Sequence, residues 1–201
     1  MRHKTTEAVF EYFNELRGDR AAPLRSEIDP SALKTVLPDL FILEKARDGI
    51  VRFRLAGTRV CIILGREMRD RAFTESWEAT VRHRMRLAAD AVIANRSALE
   101  IAVTAVDDDG GALALEMLML PLCSRADRCD RIFGSLVTLG TTRPAEGYSR
   151  HLEPADLVFV PADAQQSSAG SSAPHSVATA SLGQILRRTS HLRILEGGRR
   201  D

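Results

Sequence analysis

Apolar residues recur with two different periods that trade places along the chain. Val9, Phe10, Phe13 and Leu16 fall at three- and four-residue spacing within residues 5–17. That spacing predicts an amphipathic helix, capped by Thr5 or Thr6 and closed by Gly18. One such helix cannot hide its stripe alone, so it is expected to pack on the domain or on a second copy of itself. Residues 23–27 read as an extended connector. A short helix is expected at 30–36, capped by Asp29 or Ser31 and ended by Pro38.

The period then drops to two. Strands are predicted at 40–44 and 50–56, on either side of Arg47-Asp48-Gly49, a hairpin turn sequence. In the second strand Val51, Phe53 and Leu55 alternate with Arg52 and Arg54, giving one apolar and one charged face. Between Gly57 and Gly65, Val60, Ile63 and Leu64 return to helical spacing. The longest helix is expected from Trp77 to Asn95, with Val81, Met85, Ala88 and Val92 on its buried side and Arg82, Arg86 and Asp90 opposite. Three more strands follow at 99–106, 112–120 and 131–139, joined by the turn at 107–111 and a polar loop around 124–130.

Short connections favour antiparallel pairing. The helical stretch between the second and third strands must cross a face of the sheet to bury its stripe. The expected fold is therefore α+β: a five-stranded antiparallel sheet with helices over one face and an N-terminal amphipathic helix. The organisation reads as a helix and connector at 1–22, a domain at 23–145, a linker at 146–181 and a basic segment at 182–201. The linker contains the small, polar run at 164–181, which cannot bury enough apolar area to offset the entropy of ordering.

Composition narrows the function classes. The 201 residues hold 28 Lys+Arg against 27 Asp+Glu, a net charge of +1, and 44% are hydrophobic. That apolar share is ordinary for a globular chain. The balanced charge argues against a general nucleic-acid binder. Three cysteines, Cys61, Cys123 and Cys129, do not suit a disulfide framework, and free thiols are expected. With no apolar leader and no long apolar run, a cytoplasmic protein without a membrane span is expected. The chain lacks GxSxG, HExxH and a phosphate-cradling glycine loop, so neither a catalytic residue nor enzymatic activity is expected. Asp107–Asp109 before two glycines reads as a hairpin turn, because a calcium loop would need a bidentate Glu at defined spacing.

Two strands, a helical crossover and three strands joined by hairpins together resemble the PAS domain superfamily. The runs at 23–44 and 52–68 narrow the likeness through Pro23, Arg25, Asp29, Pro30, Leu37, Pro38, Phe53, Arg54, Gly57 and Gly65. They are similar to a group of bacterial, mainly alphaproteobacterial, stand-alone PAS proteins once classed as a domain of unknown function. The resemblance implies a cytoplasmic sensory module that signals through protein–protein contact. It also implies a ligand position between the long helix and the inner sheet face. Here its walls are Phe53, Leu55, Val60, Leu64, Met85, Ala88, Ile101 and Val103, closed by Met117, Met119 and Ile132. Arg84, at about 300° around the helix from Val81, borders the mouth of this space. These side chains suit an ordinary core at least as well as a pocket.

The flavin-binding pattern around a reactive cysteine is absent, since Cys61 sits in VCIIL. His83 falls about 200° from Val81, on the solvent side, where a haem ligand would not stand. No cofactor or metal is therefore assigned. The expected partners are a second copy, an unidentified signalling protein and a small molecule in the pocket. Phe10 and Phe13 are the candidate docking residues of the first helix. Arg187, Arg188, His191 and Arg193 are those of the C-terminal segment, which offers either a docking strand or a grip on phosphate such as that of a cyclic dinucleotide.

Overall fold

The computed structural model describes residues 1–107, 109–140 and 150–160. Its elements in chain order are helix α1 (Lys4–Arg17), strands β1 (Leu40–Lys45) and β2 (Val51–Ala56), helices α2 (Thr58–Leu64) and α3 (Arg82–Asn95), then strands β3 (Ala98–Asp107), β4 (Ala112–Arg125), β5 (Arg128–Thr138) and β6 (Arg150–Val160). All strand pairs are antiparallel. The sheet order is β2-β1-β5-β4-β3-β6. The first hairpin and the last three strands therefore join through β1 and β5, with Leu40 opposite Ser135 and Glu44 opposite Arg131.

Among the described residues the sheet has six strands rather than the expected five. β6 lies in the stretch that composition assigns to a linker, and it pairs with β3 along its length. Its alternation is hidden by an irregularity: the register shifts between Ala102 and Val103, at Asp156 and Pro154 of β6. The shift changes the parity of the inward positions, so Leu152 and then Leu157 and Phe159 are buried. Pro154 within the run also argues against a strand to a sequence reader, although an edge strand tolerates it.

Other expectations change in detail. The connector makes a 3-10 turn at Arg25–Glu27, and residues 30–36 form turns rather than a helix, followed by a 3-10 turn at Leu37–Asp39 that contains Pro38. α3 begins at Arg82, not Trp77, because two 3-10 turns at Phe73–Ser76 and Ala79–Val81 precede it. His3 rather than a threonine caps α1, its Nδ1 accepting from Thr5 N at 3.1 Å. Cys123 and Cys129 are not free: they face each other across the β4–β5 ladder and their sulfurs are joined in a disulfide. Sequence spacing did not show that the hairpin would bring them together.

Two apolar clusters lie on opposite faces of the sheet. The inner one packs α2, α3 and the aromatic residues Phe41, Phe53, Phe73 and Trp77 against β1–β6. The outer one seats α1, through Val9 and Phe13, on Leu40, Ile42, Leu118, Leu120, Leu122 and Phe133. Helices thus cover both faces, and α1 hides its stripe on its own domain. Gly57 allows a close approach: a Cβ there would overlap the carbonyl oxygens of Leu37 and Pro38. The contact ties the start of α2 to the entry of β1, which gives three residues of the resemblance, Leu37, Pro38 and Gly57, a packing reason.

Candidate functional site: two faces of one sheet

The inner face is filled. Phe53, Val60, Leu64, Met85, Ala88, Ile101, Val103, Met117, Met119 and Ile132 all belong to one buried cluster, none more than 3% exposed. Rings step through it edge to tilted edge: Phe41 to Phe53 at 5.9 Å, Phe53 to Phe73 at 6.2 Å and Phe73 to Trp77 at 5.6 Å. Aromatic pairs at such separations add to the burial of the rings themselves. Arg150, on β6, is buried and donates to the Ile63 carbonyl at 3.3 Å. Trp77 Nε1 and Ser76 Oγ are buried there without a hydrogen-bond partner among the described residues.

Two of the expected pocket residues stand elsewhere. Leu55 is 43% exposed. The β1–β2 register shifts between Ile42 and Leu43, so that Leu55 opposes Ile42, an outer-face residue, while Phe53 opposes Leu43, an inner one. That irregularity breaks the period-two reading that grouped Leu55 with Phe53. Arg84 is exposed on α3 beside His83, which is also exposed. Arg54 pairs with Glu44 at 3.0 Å and Asp70 at 3.0 Å, and Arg52 with Asp48 at 2.8 Å rather than with Glu44.

The outer face carries polar groups that sequence reasoning passed over. Glu116 is 2% exposed in the middle of β4. Its carboxyl oxygens accept from Arg2 N at 2.7 Å and His3 N at 3.3 Å. The orphan N–H groups that lead into α1 are therefore satisfied from the sheet, with a carboxyl at the positive end of the helix dipole. Glu100 accepts from the Met1 amino group at 3.1 Å. Arg2, Glu100 and Glu116 line a cavity of about 110 Å³ together with Ala102, Leu115, Leu139, Asp156 and Val158. The signal in the sequence was a lone acid inside an apolar strand, and only the packing of α1 gives it a partner. Glu116→Ala is expected to cost about 2 kcal/mol, the worth of a charged acceptor's lost hydrogen bonds. The loss should be seen in urea titration, with faster amide exchange in α1 than in β3.

Asp39, just before β1, pairs with Arg59 at 2.8 Å. Burial pushes its carboxyl above the usual range, opposed by Arg59 and by His3. Cys61 is the one free thiol among the described residues, and burial pushes its thiol up, which disfavours the thiolate.

Phe13 is 2% exposed and Phe10 half-buried, so both belong to the seat of α1. The exposed large apolar side chains among the described residues are Leu37, Ile50 and Leu55. Leu37 precedes Pro38 against Gly57, two residues from Leu55, and Val36 and Ile42 continue the patch into the outer cluster. Arg187, Arg188, His191 and Arg193 lie outside the described residues. Among the described residues no group of His, Cys, Asp or Glu is arranged to hold a metal ion, and no helix is long and apolar enough to cross a membrane.

Comparison with known proteins agrees with this geometry. A family model described as a PAS domain matches residues 1–137 of the 201. The match takes in α1 and most of β5. No curated protein matches the chain.

Proposed function

This chain belongs to the PAS domain family, and we propose that it is a sensory or signalling module whose output is protein docking through the outer face of the sheet, a second copy of the chain being the first partner. The reading rests on where apolar surface is left uncovered. Ten of the twelve expected pocket side chains are interlocked in the core, whereas Leu37 and Leu55 are 36% and 43% exposed. Leu55 stands opposite Ile42, a member of the outer cluster on which α1 is seated. An exposed patch that runs into a buried apolar cluster is the surface a partner can extend. No chemical step is assigned to the chain, and its output is the change of partner.

Light scattering on the full chain tests this. The wild type is expected to give a dimer mass at micromolar concentration. Leu37→Glu with Leu55→Glu should give a monomer with little change in melting temperature, since both side chains are already exposed. A wild type that stays monomeric across the range overturns the reading.

One observation favours a second reading, a small molecule held between α3 and the sheet. Among the described residues Trp77 Nε1 and Ser76 Oγ are both buried without a hydrogen-bond partner, and buried donors ordinarily have an acceptor. Native mass spectrometry of the purified chain would reveal a retained molecule. Crystals with only water, or only side chains, beside Trp77 Nε1 would remove it.

A further inference from the structure

We propose that Cys123 and Cys129 form a reversible disulfide that sets how firmly α1 is held on the sheet. The two residues are direct partners in the β4–β5 ladder, six positions apart in sequence, at the end where the strands turn. A structural staple gains most by closing a long loop. This one closes a hairpin that the ladder already closes, so its value lies in what happens when it opens. Access is one-sided. Cys123 is 4% exposed, while Cys129 is half-buried and follows four exposed residues, Arg125 to Arg128. An incoming thiolate therefore meets the Cys129 sulfur first.

The link to α1 runs through the same residue. Cys123 N donates to the Pro23 carbonyl at 3.0 Å, and Leu24 bridges in parallel to Cys123. Pro23 and Leu24 belong to the connector between α1 and β1. That connector is clasped further on by Leu24 N to Glu27 at 2.7 Å and by Arg20 to Glu27 at 3.0 Å. The backbone that carries one sulfur thus also anchors the segment that places α1 over Leu118, Leu120 and Leu122.

The reductant is a low-molecular-weight thiol or dithiol. Its thiolate attacks the Cys129 sulfur, the Cys123 sulfur leaves as thiolate, and a second thiolate resolves the mixed disulfide. The products are two protein thiols and one oxidised reductant, with two electrons and two protons taken up by the protein. Reduction removes the covalent tie between Cys123 and Cys129 at the end of the β4–β5 ladder. The ladder opens at Cys123, its bond to Pro23 is disturbed and α1 loosens. The outer apolar cluster then becomes available. This last consequence rests on the docking reading above, whereas the loosening of α1 does not.

Alkylation with mass analysis and hydrogen exchange on the full chain decide it. After oxidised glutathione, one thiol, Cys61, should be alkylated under unfolding conditions without reductant. After dithiothreitol, three should be. Reduction should speed exchange in residues 4–17 and 20–27 by about tenfold, with α3 and β3 unchanged. Cys129→Ser, and separately Cys123→Ser with Cys129→Ser, should show the fast rate in both buffers. If a variant fails to fold, the two redox states of the wild type still give the answer. Three alkylated thiols after oxidation, or equal α1 exchange in both states, overturns the proposal. A change in α1 exchange while the wild type stays monomeric in both redox states supports the switch and counts against the docking reading alone.

Discussion

Phe53→Ala is expected to destabilise the protein by about 4 kcal/mol, the cost of a large cavity in a filled core. Phe53 is 2% exposed and stands between Phe41 and Phe73 in the row of rings that ends at Trp77. Truncation removes two ring contacts along with the burial of its own ring. Its backbone also binds the segment covering the β2 edge, through Phe53 N to Arg71 O at 3.0 Å and Asp70 N to Phe53 O at 2.8 Å. Those bonds survive the substitution, so the loss is one of packing. Equilibrium urea unfolding measures it, and a shift below about 1.5 kcal/mol, the cost of a well-tolerated swap, would mean that the inner face is looser than described. The variant also separates the two functional readings. If a small molecule sits beside Trp77, the cavity left by the substitution should change which molecule is retained in native mass spectrometry. If the core is only packing, the variant is simply less stable.

Gly134→Ala should cost on the order of 3 kcal/mol, at the upper end of overpacking. Gly134 lies in the centre of β5, opposite Phe41 on one side and Met119 on the other. A Cβ there would overlap the Leu118 carbonyl oxygen and the ring of Phe41. One obstacle is backbone within the ladder and the other a ring that is 1% exposed, so neither can give way cheaply. The position joins the first hairpin to the meander, so the damage should reach both. A thermal melt of Gly134→Ala within about 2 °C of wild type would contradict the close approach of Phe41 to β5, because a kilocalorie alone moves the midpoint further in a domain of this size.

How much of this was legible in advance differs by element. The stripe Met85, Ala88 and Val92 gave α3 its buried face, and the Asp-Gly turn gave the first hairpin. Both signals are local, and both kinds of element form wherever such local patterns meet a sheet. The errors sit at irregularities. A shift opposite Ile42 and Leu43 sends Leu55 to the outer face, and a shift at Ala102 and Val103 hides β6. One residue of slip reverses every side chain beyond it, and no window of a single strand records which residue of its neighbour it will face.

The outer site was read least well for a related reason. Glu116 carries no signal beyond being an acid within an apolar strand, and Cys123 and Cys129 read as free thiols, because each acquires its chemistry from residues far away or across a ladder: Arg2 and His3 over 110 positions distant for Glu116, and Pro23 for Cys123. Phe10 and Phe13 were correctly seen as an apolar stripe, but a stripe does not say what it covers.

The order of residues determined the alternation of strand and helix, the antiparallel pairing, the buried side of α3 and the likeness to the PAS domain, because propensity, turn chemistry and periodicity act over a few residues at a time. Tertiary structure alone decided the register of β1 on β2 and of β3 on β6, the seat of α1 on its own sheet, the partners of Glu116 and the meeting of Cys123 with Cys129. Those are contacts between distant segments, and their geometry is fixed only when the whole sheet is closed and both of its faces are covered.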